Sequence, residues 1–368
     1  MKQKSKAELW IAFAAIALIY VAVTVLEQTV DSNHIIFTVL KKGAIYSLVA
    51  VSMNLLNGFT GLFSLGQAGF MLIGAYTYSI FTMPTEVKLT ESVYKYYEAA
   101  IKFDTGIFVG LVCAGLAAAL FAALIGLPVL RLKSDYLAIA TIGFAEIIRA
   151  IFQWDVLGPV TNGANVMRNY LDLTDVKIPF TDIAFPPTLY VFLASGVCIG
   201  LIVLLINSSY GRAFKAIRDD ETAAEAMGIN LARHKMIAFC TSSFFAGIGG
   251  ALLAMYANSV QAKSFTSMMT YEILLIVVIG GIGSVTGSVL SSFVFVAASE
   301  WWLRFLDQQQ VWNGWQVPLL RNGFRLVVFS LIIMAVVLFF RQGVMGTREL
   351  PDLLRRRGRA SRKGGVKA

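Results

Sequence analysis

Residues 211–235, GRAFKAIRDDETAAEAMGINLARHK, gather nine charged side chains into 25 positions: Arg212, Lys215, Arg218, Asp219, Asp220, Glu221, Glu225, Arg233 and Lys235. The whole chain is 57% hydrophobic and only 14% charged, so this polar island needs a reason. Three further ionisable residues sit inside apolar runs. Glu146 and Arg149 stand three apart, close enough to pair on one helix face. Glu272 lies near the end of its run, where it can face a cavity or snorkel to headgroups. Ser64, Gln67, Tyr76 and Tyr78 fall in a block broken by Gly58, Gly61, Gly66 and Gly69. Their hydroxyls and amide either meet a polar solute or tie helices together. All of this is non-covalent chemistry. Two histidines, His34 and His234, and three cysteines, Cys113, Cys198 and Cys240, are too few and too dispersed for a zinc site, a disulfide framework or a serine–histidine nucleophile. No G-x-x-x-x-G-K-[ST] loop occurs, so any ATP, with its Mg, belongs on another subunit, and this chain is expected to bind no cofactor or metal and to catalyse nothing.

The elements that position these residues follow from composition. A soluble protein carries roughly 25% charged residues; 14% charge with a mean hydropathy of +0.70 marks a lipid-facing surface. The apolar runs are continuous rather than alternating, which predicts an all-α polytopic membrane protein instead of a barrel. About ten segments are expected, near 9–26, 35–57, 59–83, 105–130, 135–153, 189–208, 236–257, 268–283, 285–303 and 323–340. The run 35–57 carries Lys41 and Lys42, and 59–83 and 268–283 are interrupted by glycines. Broken backbone is tolerated in lipid only where protein or a watery cavity covers it, which makes these segments expected pathway lining. The N-terminal run is read as a retained first helix, because Glu27, Gln28 and Asp31 follow it where a cleavage site would need small residues.

Basic residues orient the chain. With the N-terminus inside, nineteen Lys and Arg fall in inner segments and eleven in outer ones. Both termini and the island 209–235 are therefore expected in the cytoplasm, with the protein in the inner membrane. Nine of the basic residues lie after position 340. Beside a membrane helix this reads as an anchor to anionic lipid headgroups, and no nucleic-acid partner is expected. Residues 1–345 form one membrane domain and 346–368 a basic tail. The outer loop 84–104 places Val93, Tyr96, Tyr97 and Ala100 at helical spacing, which allows a short surface helix or a structured loop over helix ends. In VTNGANV (160–166), Asn162 and Gly163 read as a tight turn.

Within the island, Arg212, Lys215 and Arg218 suit the C-terminal part of a helix extending from the membrane. Asp219 and Asp220 break it and can cap a short second helix, with Thr222 and Glu225 as an alternative capping box. Gly228 suits its C-terminal end, and Asn230 can cap the next span. Ala223, Ala224 and Ala226 would let another protein approach closely, with Met227 as an apolar contact.

The order TAAEAMG (222–228) resembles the E-A-A-x-x-x-G loop by which membrane subunits of ABC importers meet their ATPase. It departs in having Thr222 at the glutamate position, with Glu221 one place early, and in lacking a later I-x-L-P. Set beside LNGFTGLFSLGQAGFMLIGAYTY (56–78), LRLKSDYLAIATIGFAEIIRAI (130–151), VVIGGIGSVTGSVL (277–290) and GFRLVVFSLIIMAVVLFFRQGVMG (323–346), the island resembles the M-type permeases for branched-chain amino acids and their urea-carrying relatives. The resemblance covers about residues 40–346. It implies a heterodimer with a second permease, two ATP-binding cassette subunits holding ATP and Mg, and an extracytoplasmic substrate-binding protein. It also implies an ATPase-coupling site at Asp220, Glu221, Thr222, Ala223, Ala224, Glu225, Ala226, Met227 and Gly228. Ser64, Gln67, Tyr76, Glu146, Arg149 and Glu272 are the expected pathway residues, because a zwitterion needs donors for its carboxylate and acceptors for its ammonium. A urea or small-amide permease and an ATPase-independent secondary transporter remain alternatives.

Overall fold

A computed structural model describes residues 34–89, 93–94, 96–132, 134–176 and 185–303, with scattered positions on either side (20, 23–24, 27, 311–312, 315–316, 327–328, 330–331, 334, 338 and 343–346). The expected spans 9–26 and 323–340, apart from isolated positions, and the tail after 346 lie outside the described residues. Helix α1 is Ile35–Asn54, with the His34 imidazole accepting from the Ile36 N–H at its start. A π-helical turn, Leu55–Phe59, continues it. After non-helical chain to Gly66 come α2 (Gln67–Thr82), α3 (Thr85–Leu89), α4 (Ile107–Val129), α5 (Ser134–Gln153) and α6 (Gly158–Thr161). Then follow α7 (Pro187–Asn207), α8 (Ser209–Asp219), α9 (Glu221–Ala226) and α10 (Leu231–Ala257). The described bundle closes with α11 (Ser267–Gly280) and α12 (Val285–Ala297), which ends in a π-helical turn, Ala298–Trp302. A minimal antiparallel ladder pairs Val311–Trp312 with Trp315–Gln316.

The all-α class holds. Among the described residues, five helices are long and apolar enough to cross a membrane: Ile35–Phe59, Ile107–Val129, Tyr136–Gln153, Pro187–Asn207 and Leu231–Ala257. Three of the expected spans are shorter than their apolar runs. The run 59–83 becomes α2 alone because the chain leaves helical geometry at Thr60 and resumes it at Gln67. The run 268–283 stops at Gly280, since Gly281 turns to a φ of +114°. The run 285–303 divides into α12 and its π-helical turn.

Burial separates a centre from a periphery. The most apolar stretches of α1 and α10 are 67% buried, against 33% in α4, 28% in α5 and 22% in α7. Between α2 and α10 the backbones almost touch: a Cβ on Gly74 would lie 2.1 Å from the Gly247 carbonyl oxygen, and one on Gly250 would lie 2.0 Å from that of Met71. Small residues at such crossings let dispersion act where lipid supplies no hydrophobic drive between helices. Polar groups add to the join. Gln67 Nε2 donates to Ser52 Oγ at 2.7 Å, and Ser242 Oγ donates to the Ser52 carbonyl at 2.7 Å, linking α1, α2 and α10. Bonds of this kind between membrane helices average about 0.6 kcal/mol each.

At one end, loops 93–103 and 154–176 knit over the helix termini. Ala100 N donates to the Pro159 carbonyl, and Met167 and Val260 exchange both backbone hydrogen bonds. Tyr94 Oη donates to the Val160 carbonyl and Tyr97 Oη to Asp155 Oδ1, both at 2.9 Å. The described residues of 93–100 are turns and extended chain, not the surface helix that their spacing allows. The Ala100 N–H goes to Pro159 instead of a helical carbonyl, and the two tyrosine hydroxyls tie the segment to loop 154–176. Asn162 and Gly163 form the expected turn, both at a φ of +60°.

Candidate functional site

The polar island resolves into a rigid corner. Ser208 accepts from the Tyr210 N–H and starts α8, whose buried side is Gly211, Ala213, Phe214 and Ile217. Asp220 then leaves helical geometry, and its Oδ1 accepts from the N–H groups of Thr222 (2.8 Å) and Ala223 (3.0 Å), capping α9. Of the two capping schemes allowed by the sequence, Asp220 is the one used. The Ala223 N–H foremost, then Thr222, stabilise the Asp220 carboxylate and hold its pKa below the ordinary value. Gly228 at a φ of +85° ends the helix, with Ile229 N donating to the Ala224 carbonyl at 3.1 Å. Asn230 caps α10 through the Arg233 N–H. Ala224 alone of α9 is buried, while Glu221, Thr222, Ala223, Glu225 and Ala226 are exposed and Met227 is 83% exposed. A Lys235–Glu221 contact of 2.6 Å closes the corner onto α10.

The corner rests on the glycine-broken turn after α1. Arg218 Nη1 donates to the Gly58 carbonyl at 3.1 Å while its Nη2 meets Asp219 Oδ1 at 2.9 Å. Lys215 Nζ lies 5.6 Å from the Phe59 ring centroid. Gly61 passes so near Arg218 that a Cβ there would stand 2.9 Å from Arg218 Cγ. From the other side, Asn54 receives the Gly283 N–H on Oδ1 (2.8 Å) and donates through Nδ2 to the Ser284 carbonyl (2.9 Å) and Ser288 Oγ (2.8 Å). The corner, the break after α1 and the α11–α12 turn thus share one hydrogen-bonded junction.

The expected pathway residues divide among four settings. Ser64 and Gln67 belong to the break: Ser64 is buried, its N–H donating to Asn57 Oδ1 at 3.1 Å, and Gln67 bonds Ser52. Glu146 receives Arg149 Nε at 2.7 Å on Oε2 and Ser267 Oγ at 2.5 Å on Oε1, so the expected pair also reaches the first residue of α11. Tyr76 Oη accepts from the Ala262 N–H at 2.9 Å, and Tyr78 Oη donates to the Leu171 carbonyl at 2.8 Å. Glu272 lines a cavity together with Lys42 and Tyr46. The Asn54 junction and the seat of Arg218 on Gly58 have no counterpart in the sequence reading, which treats Arg218 only as a terminal cation. Lys42 and Glu272, each inside an apolar run, are the visible signals for the cavity.

A family model described as "Branched-chain amino acid transport system / permease component" matches residues 35–340. The chain belongs to this family. LivM of Escherichia coli (strain K12), a high-affinity branched-chain amino acid transport system permease protein, is 32% identical over 278 residues, covering 70% of this chain and 61% of the relative. A probable branched-chain amino acid transport permease protein LivM of Methanocaldococcus jannaschii is 23% identical over 68% of the chain and 76% of that protein. The protein named as probable permease LivH in the same organism is 22% identical over 84% of the chain and 92% of its own length. The chain therefore spans 61% of the length of its E. coli relative. No solved structure matches it. Family and apolar helices together make this a multi-pass membrane protein.

Proposed function

We propose that the chain is a permease subunit of an ATP-driven importer whose cargo is branched-chain amino acids. It sits in the inner membrane with both termini cytoplasmic, residues 1–345 forming the permease domain and the basic tail 346–368 lying beside anionic lipid. Its partners are a second permease, two ATP-binding cassette subunits and an extracytoplasmic binding protein. ATP and Mg reside on the cassettes, and this chain contributes no catalytic group. Similarity to proteins named both LivM and LivH fits a pair of related permeases packed together.

The carrying observation is the corner itself: α9 stands clear of the bundle while Arg218, at the end of α8, bonds to Gly58 in the break. A push on Glu225, Ala226 and Met227 by a closing cassette dimer turns α8 as a lever. Its displacement reaches the π-helical turn at Gly58 and the non-helical chain 60–66 that follows, so the break changes shape without unwinding an α-helix. Ser64 and Gln67 at the break are the pathway groups this motion reaches first; Glu272, Tyr76 and the Glu146–Arg149 pair of α5, which holds the first residue of α11, lie farther from the corner. The test is Glu225→Arg in the assembled transporter. A reversed charge at the docking helix lowers leucine uptake by roughly tenfold or more, since like charges across an interface cost several kcal/mol. Wild-type uptake by this variant would remove α9 as the docking element. Competition between leucine and urea in the unaltered protein checks the cargo.

A further inference from the structure

At the end of α10 away from the corner, about 33 Å along the axis from Leu231 to Leu253 at 1.5 Å per residue, the bundle carries an open-mouthed pocket of about 330 Å³. A smaller one of about 110 Å³ adjoins it, and Lys42, Tyr46 and Glu272 line both. Pockets for small ligands begin near about 300 Å³. Lys42 Nζ forms an ion pair with Glu300 and lies 5.8 Å from the Tyr46 ring centroid. A lysine and two carboxylates inside apolar spans are costly, and such groups mark substrate or ion sites. Their partition is specific: cation and carboxylate face the same space, with Leu253, Phe265, Met268 and Met269 forming an apolar side.

That arrangement matches an α-amino acid, which carries a carboxylate and an ammonium on one carbon and an aliphatic side chain beyond it. Resting on the importer reading above, we propose that this cavity is a binding site for the amino-acid zwitterion within the permease. Lys42 receives the carboxylate, Glu272 the ammonium, and the methionines the side chain. Glu300 keeps the lysine compensated when the cavity is empty, because an uncompensated buried charge is strongly destabilising. Thioether side chains reshape easily, which suits one site to leucine, isoleucine and valine. Urea carries no charge for either group.

The test uses the whole transporter in proteoliposomes with excess binding protein, following labelled leucine, labelled urea and ATP hydrolysis together. In Glu272→Gln, and in the charge-neutral double variant Lys42→Met with Glu300→Gln, leucine carried per ATP hydrolysed falls about tenfold or more, the scale of a lost hydrogen bond to a charged group. Glu272→Asp recovers most of it. An unchanged ratio in both variants, or uptake and hydrolysis falling by the same factor, overturns the site while leaving the importer reading intact. A wild-type transporter that carries urea and not leucine overturns both.

Discussion

At the corner of α8 and α9, Glu225 and Met227 stand in the open, and the Lys235–Glu221 pair sets a half-exposed carboxylate (54%) on a lysine that is 12% exposed. At the far end of α10, the side chains of Lys42 and Glu300 are 27% and 24% exposed and pair between apolar spans. The same chemistry does different things in the two places. Exposed ion pairs contribute about 0–1 kcal/mol, so the corner keeps its shape through the Asp220 and Asn230 caps and the buried Phe214 and Ile217. At the far end the pair is what makes charge tolerable at all. A surface that another protein grips needs rigid backbone under free side chains; a pocket that admits a zwitterion needs charges already held in place.

The comparison breaks most completely where both regions share a support. Gly247→Leu on α10 forces side-chain atoms into Ala114 and Ala118, since even a Cβ would lie 2.7 Å from the Ala114 carbonyl oxygen and 2.6 Å from Ala118 Cβ. No monodisperse protein is expected from this variant in detergent size-exclusion chromatography. Arg218→Ala sharpens the contrast by cutting the corner from the break and leaving the far cavity untouched. Leucine uptake should fall about tenfold, the scale of a lost charged hydrogen bond, with protein recovery close to wild type. The smallest effect is on pH. Because the folded Asp220 carboxyl is depressed below its unfolded value, its capping contribution is complete above about pH 4 and fades as pH falls through the folded pKa. Hydrogen exchange at the Thr222 and Ala223 amides, corrected for its intrinsic pH dependence, should lose protection only in that acid range, and Asp220→Asn should remove the pH dependence.

Local features were the legible ones. Apolar runs marked the long helices, the charge pattern marked the corner, and Asp220, Gly228 and Asn230 serve the caps their chemistry suggests. Glu146 and Arg149 pair because three residues is a helical spacing. What stayed hidden depends on partners far along the chain. Gly58 and Arg218 meet across 160 positions and Lys42 and Glu300 across 258, and no periodicity encodes such distances. The spacing at 93–100 left helix and structured loop open for the same reason: loop 154–176 supplies the partners of Tyr94, Tyr97 and Ala100 that decide for the loop, and a local pattern does not contain them.

The end of α11 carries a consequence for biosynthesis. Its carbonyls at Ile279 and Gly280 accept from the N–H groups of Val344 and Met345, and Gly346 lies against Gly281 where a side chain would collide. Until translation has passed position 345, these acceptors lack their final donors, and the turn that Asn54 grips is finished on one side only. The junction beneath the corner therefore matures only after the chain at 344–346 has left the ribosome.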